Sequence, residues 1–186
     1  MKTFLLPTLF SFVLAAISQA QTCREVVRDS SGRIVQTIDR QKQSGGTVHA
    51  VTRDASGRII GTATTRPASG STARTEFRDA SGRLTSSAVT NGTSANNSRT
   101  TYRDASGRLT GSADTNKTAG TGSRTQFRDA SGRLTGSETS SGRPSGTATA
   151  TQRDASGRLI GSSSASGAKC PTAPRVPVPP KNTTKK

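Results

Sequence analysis

The chain has 186 residues, of which 28% are hydrophobic and 3% aromatic, and its formal charge is +16. So little apolar material excludes a large conventional core, and one histidine with two cysteines excludes a zinc cluster built from those residues. The positive balance favours anionic partners such as lipopolysaccharide, acidic glycans or teichoic acids, and nucleic acid less, because interleaved aromatics are nearly absent.

The chain opens with Lys2, an apolar run from Phe4 to Ile17, and Ser18-Gln19-Ala20. A charged start, apolar middle and small-residue end are those of a secretory signal, so residues 1–20 are predicted to be removed and the product secreted or periplasmic. The run is short for a bilayer span and no second one follows, so no membrane span is predicted after signal removal.

Residues 21–170 are predicted to form one repeat domain. Arg28-Asp29-Ser30-Ser31-Gly32-Arg33 recurs as Arg-Asp-Ala-Ser-Gly-Arg from Arg53, Arg78, Arg103, Arg128 and Arg153, at a constant spacing of 25 residues. A fixed period of that length marks a repeat architecture, in which each unit buries surface only against its neighbours. Asp first and Gly fourth are the residues preferred in a type I turn, so each copy predicts a β-hairpin. In the third copy, a four-residue loop from Asp79 to Gly82 would set Arg78 opposite Arg83 and Phe77 opposite Leu84. A three-residue loop with a glycine bulge would pair Asp79 with Arg83 and separate Phe77 from Leu84. The first is favoured because it puts the two apolar side chains on one face. One aromatic and one leucine cannot offset the entropy of ordering 25 residues, so stacking against neighbours is obligatory. Substantial disorder, given the low hydrophobicity and high charge, is the competing reading.

The copies are of two kinds. Copies one, two and six carry Ile34-Val35, Ile59-Ile60 and Leu159-Ile160 after the turn, whereas the middle three carry Phe77, Tyr102 or Phe127 before it and Leu-Thr after it. Caps on an open stack would explain this, and so would a closed ring in which copies six, one and two are contiguous. Cys23 and Cys170 bracket the array and, in an oxidising compartment, are read as a disulfide, with an intermolecular bridge as the alternative. An open stack would separate them beyond disulfide reach. The fold class expected is therefore all-β, with six 25-residue β-hairpin repeats in a curved or closed array. Residues 171–186 follow as a Pro-rich basic tail of polyproline type.

No catalytic signature accompanies the repeats. Their aspartates recur singly, without calcium-loop or paired-carboxylate spacing, and read as turn caps. His49 lies between strand-like flanks. The expectation is a protein that is not an enzyme, with no cofactor and no metal. The arginines are the candidate binding residues. Arg78, Arg83, Arg103, Arg108, Arg128 and Arg133, with Arg74, Arg99 and Arg124, would stack into rows if successive hairpins packed in register, offering guanidinium forks to phosphate, sulfate or carboxylate.

The segments Phe77-Arg78-Asp79-Ala80-Ser81-Gly82-Arg83-Leu84-Thr85 and Phe127-Arg128-Asp129-Ala130-Ser131-Gly132-Arg133-Leu134-Thr135 resemble the YD repeat of Rhs and teneurin proteins. That family repeats Tyr-Asp, two variable residues and Gly-Arg-Leu as β-hairpins wound into extracellular shells. Here Arg stands where the tyrosine would be, and the aromatic sits one place earlier. The resemblance implies an exported β-repeat surface with glycan contact and identifies no catalytic residue. The regular strand-turn-strand units are also similar to those of curli-type amyloid subunits. The function expected is binding of an anionic envelope or extracellular polymer, with a self-assembling fibre or matrix subunit as the alternative.

Overall fold

Between the turns, short runs alternate small or apolar residues with polar ones, the period-two pattern of a sheet with one covered face. In the computed structural model, which describes residues 21–142 and 147–167, these runs become twelve strands. They are β1 (Gln21–Asp29), β2 (Ile34–Lys42), β3 (Val48–Asp54), β4 (Ile59–Pro67), β5 (Thr72–Asp79), β6 (Leu84–Gly92), β7 (Asn97–Asp104), β8 (Leu109–Lys117), β9 (Ser123–Asp129), β10 (Leu134–Gly142), β11 (Ala148–Asp154) and β12 (Leu159–Gly167), with a 3-10 turn at Ser44–Gly46. The predicted signal (1–20), Cys170 and the predicted tail (171–186) lie outside the described residues.

Each strand pairs antiparallel with its neighbours in sequence, and β12 pairs with β1, so the sheet closes into a barrel. Cys23 faces Gly167 and Asp29 faces Gly161 across this seam. The all-β expectation holds, and of the curved or closed alternatives the closed one is found. Closure makes the three aliphatic hairpins, β11–β12, β1–β2 and β3–β4, consecutive around the barrel. It also removes the free strand edges that an open array of this length would expose.

The hairpins do not pack in simple register. Gln36 faces Val27 within its own hairpin but Asp54 on the next, and Gly161 faces Gln152 on one side and Asp29 on the other. Each hairpin is thus set back by two residues from its neighbour, and over six hairpins the shear equals the strand number. The same ratio gives strands tilted by about 36° in the eight-stranded parallel barrel.

The favoured hairpin loop is corrected by the structure. The Asp79 amide donates to the Arg83 carbonyl at 3.0 Å, the Gly82 amide donates to the Asp79 carbonyl at 3.0 Å, and Gly82 has φ of 84°. This is the three-residue loop with a glycine bulge, and it recurs at all six turns. A second irregularity follows at once: Arg78 faces Leu84, but Phe77 faces Ser86, so one extra residue opposes Arg78. Phe77 consequently points into the barrel, 6% exposed, while Leu84 stays at its surface. Backbone geometry overrides the apolar pairing because only glycine takes the left-handed conformation without strain, and once it does the register is fixed.

The interior matches large residues with small ones. Phe77, Tyr102 and Phe127 lie opposite Ser86, Gly111 and Gly136, and they pack with Ala88, Ala113 and Ala63. A second cluster, Val27, Ile38 and Ala50, meets the first through Ala63. Towards the other end the lining is polar: Thr65 and Thr75, Thr90 and Thr100, and Thr115 and Thr125 share hydrogen bonds of 2.8, 2.8 and 2.9 Å between their hydroxyls. Arg40 and Glu25 form an ion pair of 2.5 Å inside the wall, 7% and 1% exposed. Glu138 accepts from Gln152 at 3.0 Å. Burial, and secondarily the Glu138 charge, pushes the Tyr102 hydroxyl pKa up.

Candidate anion-binding rim

Every repeated turn projects from the same end of the barrel, because each joins an odd strand to the following even strand. The turn is built around its aspartate. Asp79 Oδ1 accepts the Ser81 amide at 2.9 Å, the Ser81 hydroxyl at 2.6 Å and the Arg83 amide at 3.0 Å. Asp29, Asp54, Asp104, Asp129 and Asp154 repeat the arrangement. In all six the serine hydroxyl, helped by the backbone amides, holds the carboxyl pKa below its ordinary value. One oxygen of each aspartate is therefore committed to its own turn.

The first arginine of each turn is also partly committed. Arg28, Arg53, Arg78, Arg103, Arg128 and Arg153 donate through Nη1 to the turn glycine carbonyl at 3.0, 3.1, 2.9, 2.8, 3.0 and 2.8 Å. The second arginine stands at the tip. Arg33 and Arg158 approach the other oxygen of their aspartates at 3.5 and 3.4 Å, yet their side chains are 84% and 83% exposed. Arg58, Arg83, Arg108 and Arg133 are exposed at the equivalent places. The rim is thus a ring with two guanidinium groups and one carboxylate per turn.

The nine predicted arginines do not form one set of rows. Arg78, Arg83, Arg103, Arg108, Arg128 and Arg133 belong to the ring. Arg74, Arg99 and Arg124 lie four residues back along the same strands, about 13 Å towards the other end. That separation along each strand makes them a band distinct from the rim.

Three carboxylates outside the repeat motif, Asp39, Glu76 and Asp114, were not singled out in the sequence, and each lies between two arginines. Arg24 holds Asp39 through two bonds of 2.7 and 3.0 Å, with Arg53 at 4.0 Å. Arg78 meets Glu76 at 3.0 Å and Arg66 does so at 3.8 Å. Arg99 meets Asp114 at 3.1 Å and Arg128 does so at 3.9 Å. The Arg24 hydrogen bond and charge lower the Asp39 pKa. These clamps partly neutralise Arg78, Arg99 and Arg128. Among the described residues no ion pair or side-chain hydrogen bond engages Arg74 or Arg124. The recurrence of aspartate at 39 and 114, one strand position in copies one and four, is the sequence signal that could have revealed two of the clamps.

His49 is half-buried on β3 with Nδ1 3.1 Å from the Thr64 hydroxyl. Among the described residues no three His, Cys, Asp or Glu side chains gather as a metal site, and no helix is long and apolar enough to cross a membrane. The middles of the strands carry residues such as Arg99, Thr101, Ser112, Asp114 and Thr139 on the outer surface, which is not the apolar band of a lipid-embedded barrel. No family model matches the chain, and no curated protein or solved structure matches it.

Proposed function

We propose that the chain is an exported, non-enzymatic β-barrel that binds an anionic envelope or extracellular polymer, a glycan or lipopolysaccharide, through its arginine rim. The observation that carries this reading is the ring itself: two guanidiniums per turn, with each turn's single carboxylate tied to the backbone. Guanidinium forks spaced about 10 Å apart around a closed rim suit a chain of repeated sulfate, phosphate or carboxylate groups. Export rests on the secretory character of residues 1–20.

A Cys23–Cys170 disulfide belongs to the same reading. Cys23 is 2% exposed and is not a free thiol, and it faces Gly167, three residues before Cys170 in sequence. A bridge there would lock the seam of the barrel. The fibre alternative is less well supported, since among the described residues pairing of β12 with β1 leaves no strand edge on which a second copy could extend the sheet.

The test is binding of the full mature chain to a sulfated polysaccharide at rising salt. Affinity should fall steeply between low and physiological ionic strength, and R83A/R108A/R133A should weaken it further. Salt-independent binding, or no effect of the triple substitution, would reject the reading.

A further inference from the structure

The rim also carries an apolar surface that polymer binding leaves unused. The extra residue opposite each turn's first arginine keeps two consecutive side chains on the outer surface: Arg28 faces Ile34, and the next paired residue is Gln36. In three hairpins both positions are aliphatic. Ile34 and Val35 are 42% and 39% exposed, Ile59 and Ile60 44% and 43%, and Leu159 and Ile160 41% and 46%. In the other three hairpins the second position is Thr85, Thr110 or Thr135.

These aliphatic hairpins are the first, second and last in sequence, and closure of β12 on β1 makes them consecutive, about 10 Å apart along the rim. The set-back of two residues brings each pair alongside the tip of the following turn, since Gln36 faces Asp54 and Gly161 faces Asp29. Six exposed aliphatic side chains thus gather on one side of the rim, and Arg33, Arg58 and Arg158 immediately precede the three pairs.

We propose that this side of the rim docks on the surface of an anionic lipid bilayer. The aliphatic pairs enter the boundary between headgroups and acyl chains, and the neighbouring guanidiniums contact lipid phosphates. Charge complementarity selects the occupant. A second copy of the chain would bring its own arginine ring against this one, and a soluble polyanion would leave six aliphatic side chains facing water. Apolar side chains flanked by long cationic ones are the chemistry of interfacial membrane binding. This inference goes beyond polymer binding and requires no polymer.

The experiment compares the full mature chain with V35T/I60T/I160T, which places at each position the residue that the other three hairpins already carry, so the fold has a precedent for it. Binding is measured to vesicles of phosphatidylglycerol with phosphatidylcholine, to vesicles of phosphatidylcholine alone, and to a soluble sulfated polysaccharide. The expected result is binding of the parent chain to the anionic vesicles, reduced about tenfold or more in the variant, with polysaccharide binding unchanged. Equal vesicle binding by the two proteins, binding of the parent chain to the polysaccharide but not to the vesicles, or loss of a dimer in the variant without change at the vesicles would overturn it. Failure of polysaccharide binding alone would count against polymer binding at the rim and not against docking on the bilayer.

Discussion

Replacing Gly161 by alanine puts a methyl group at the seam between the last strand and the first. A Cβ at Gly161 would stand 2.6 Å from the Arg28 carbonyl oxygen of β1, closer than such atoms approach in folded proteins, and the obstacle is backbone, which cannot rotate aside. Overpacking of this kind costs about 1–3 kcal/mol. Removing glycine from the unfolded chain returns about 0.4–1 kcal/mol, so at the middle of both ranges the net destabilisation is about 1–2 kcal/mol. For a domain of this size the melting temperature should fall by about 2–8 °C, measured by circular dichroism on the full chain. Gly136 is the control, because its Cβ would lie 2.6 Å from the Arg153 carbonyl oxygen across β10 and β11, a pair that does not involve the seam. In a closed barrel the two substitutions cost about the same. In an open array Gly161 would lie on an edge strand with no Arg28 carbonyl beside it, and Gly161→Ala would be neutral or slightly stabilising. That difference in sign would refute closure.

Further predictions concern the buried and titrating charges. Arg40→Met leaves the Glu25 carboxylate, 1% exposed, without its guanidinium, and should cost about 3–5 kcal/mol, a fall of about 6–20 °C in melting temperature. Glu25→Leu/Arg40→Met should recover most of the loss in the same assay, whereas a double variant as unstable as the single would show that the pair is not the cause. The six turn aspartates and Asp39 all have folded pKa values below their ordinary ones. Their contribution is therefore present above the unfolded pKa and is lost as pH falls through the folded values. Stability should be level above about pH 5 and decline below about pH 4. Asp129→Asn should flatten that decline in part, and a melting temperature indifferent to acid would contradict the capping role.

The elements legible in the sequence were those written in local chemistry. Asp79 and Gly82 announce a turn wherever they fall, and the split between aliphatic and aromatic copies, with a cysteine at each end, pointed to a curved or closed array. The loop type was missed because Phe77 opposite Leu84 is the more apolar pairing, and the extra residue after Leu84, which sets Ser86 opposite Phe77, has no residue signature of its own. The rim was half legible. Its arginines stood out, but the register between one hairpin and the next has no residue signature, and closure of the sheet makes the expected rows a ring and a band. Glu25 and Arg40 lie 15 residues apart on different strands, and only the pairing and curvature that bring both inside reveal them as a buried pair. Asp39, Glu76 and Asp114 likewise acquire meaning only when the strands on either side are known.

The most direct test of the account is the pairing of β1 with β12. Nuclear magnetic resonance on the mature chain, at a concentration where light scattering reports a monomer, should show cross-strand contacts between Arg24 and Ser166, Val26 and Ser164, and Arg28 and Ser162, with amides on both strands protected from exchange as well as those of β6 and β7. Contacts throughout β2 to β11, with none between β1 and β12 and free exchange on both, would contradict the closed barrel and the contiguous rim that depends on it.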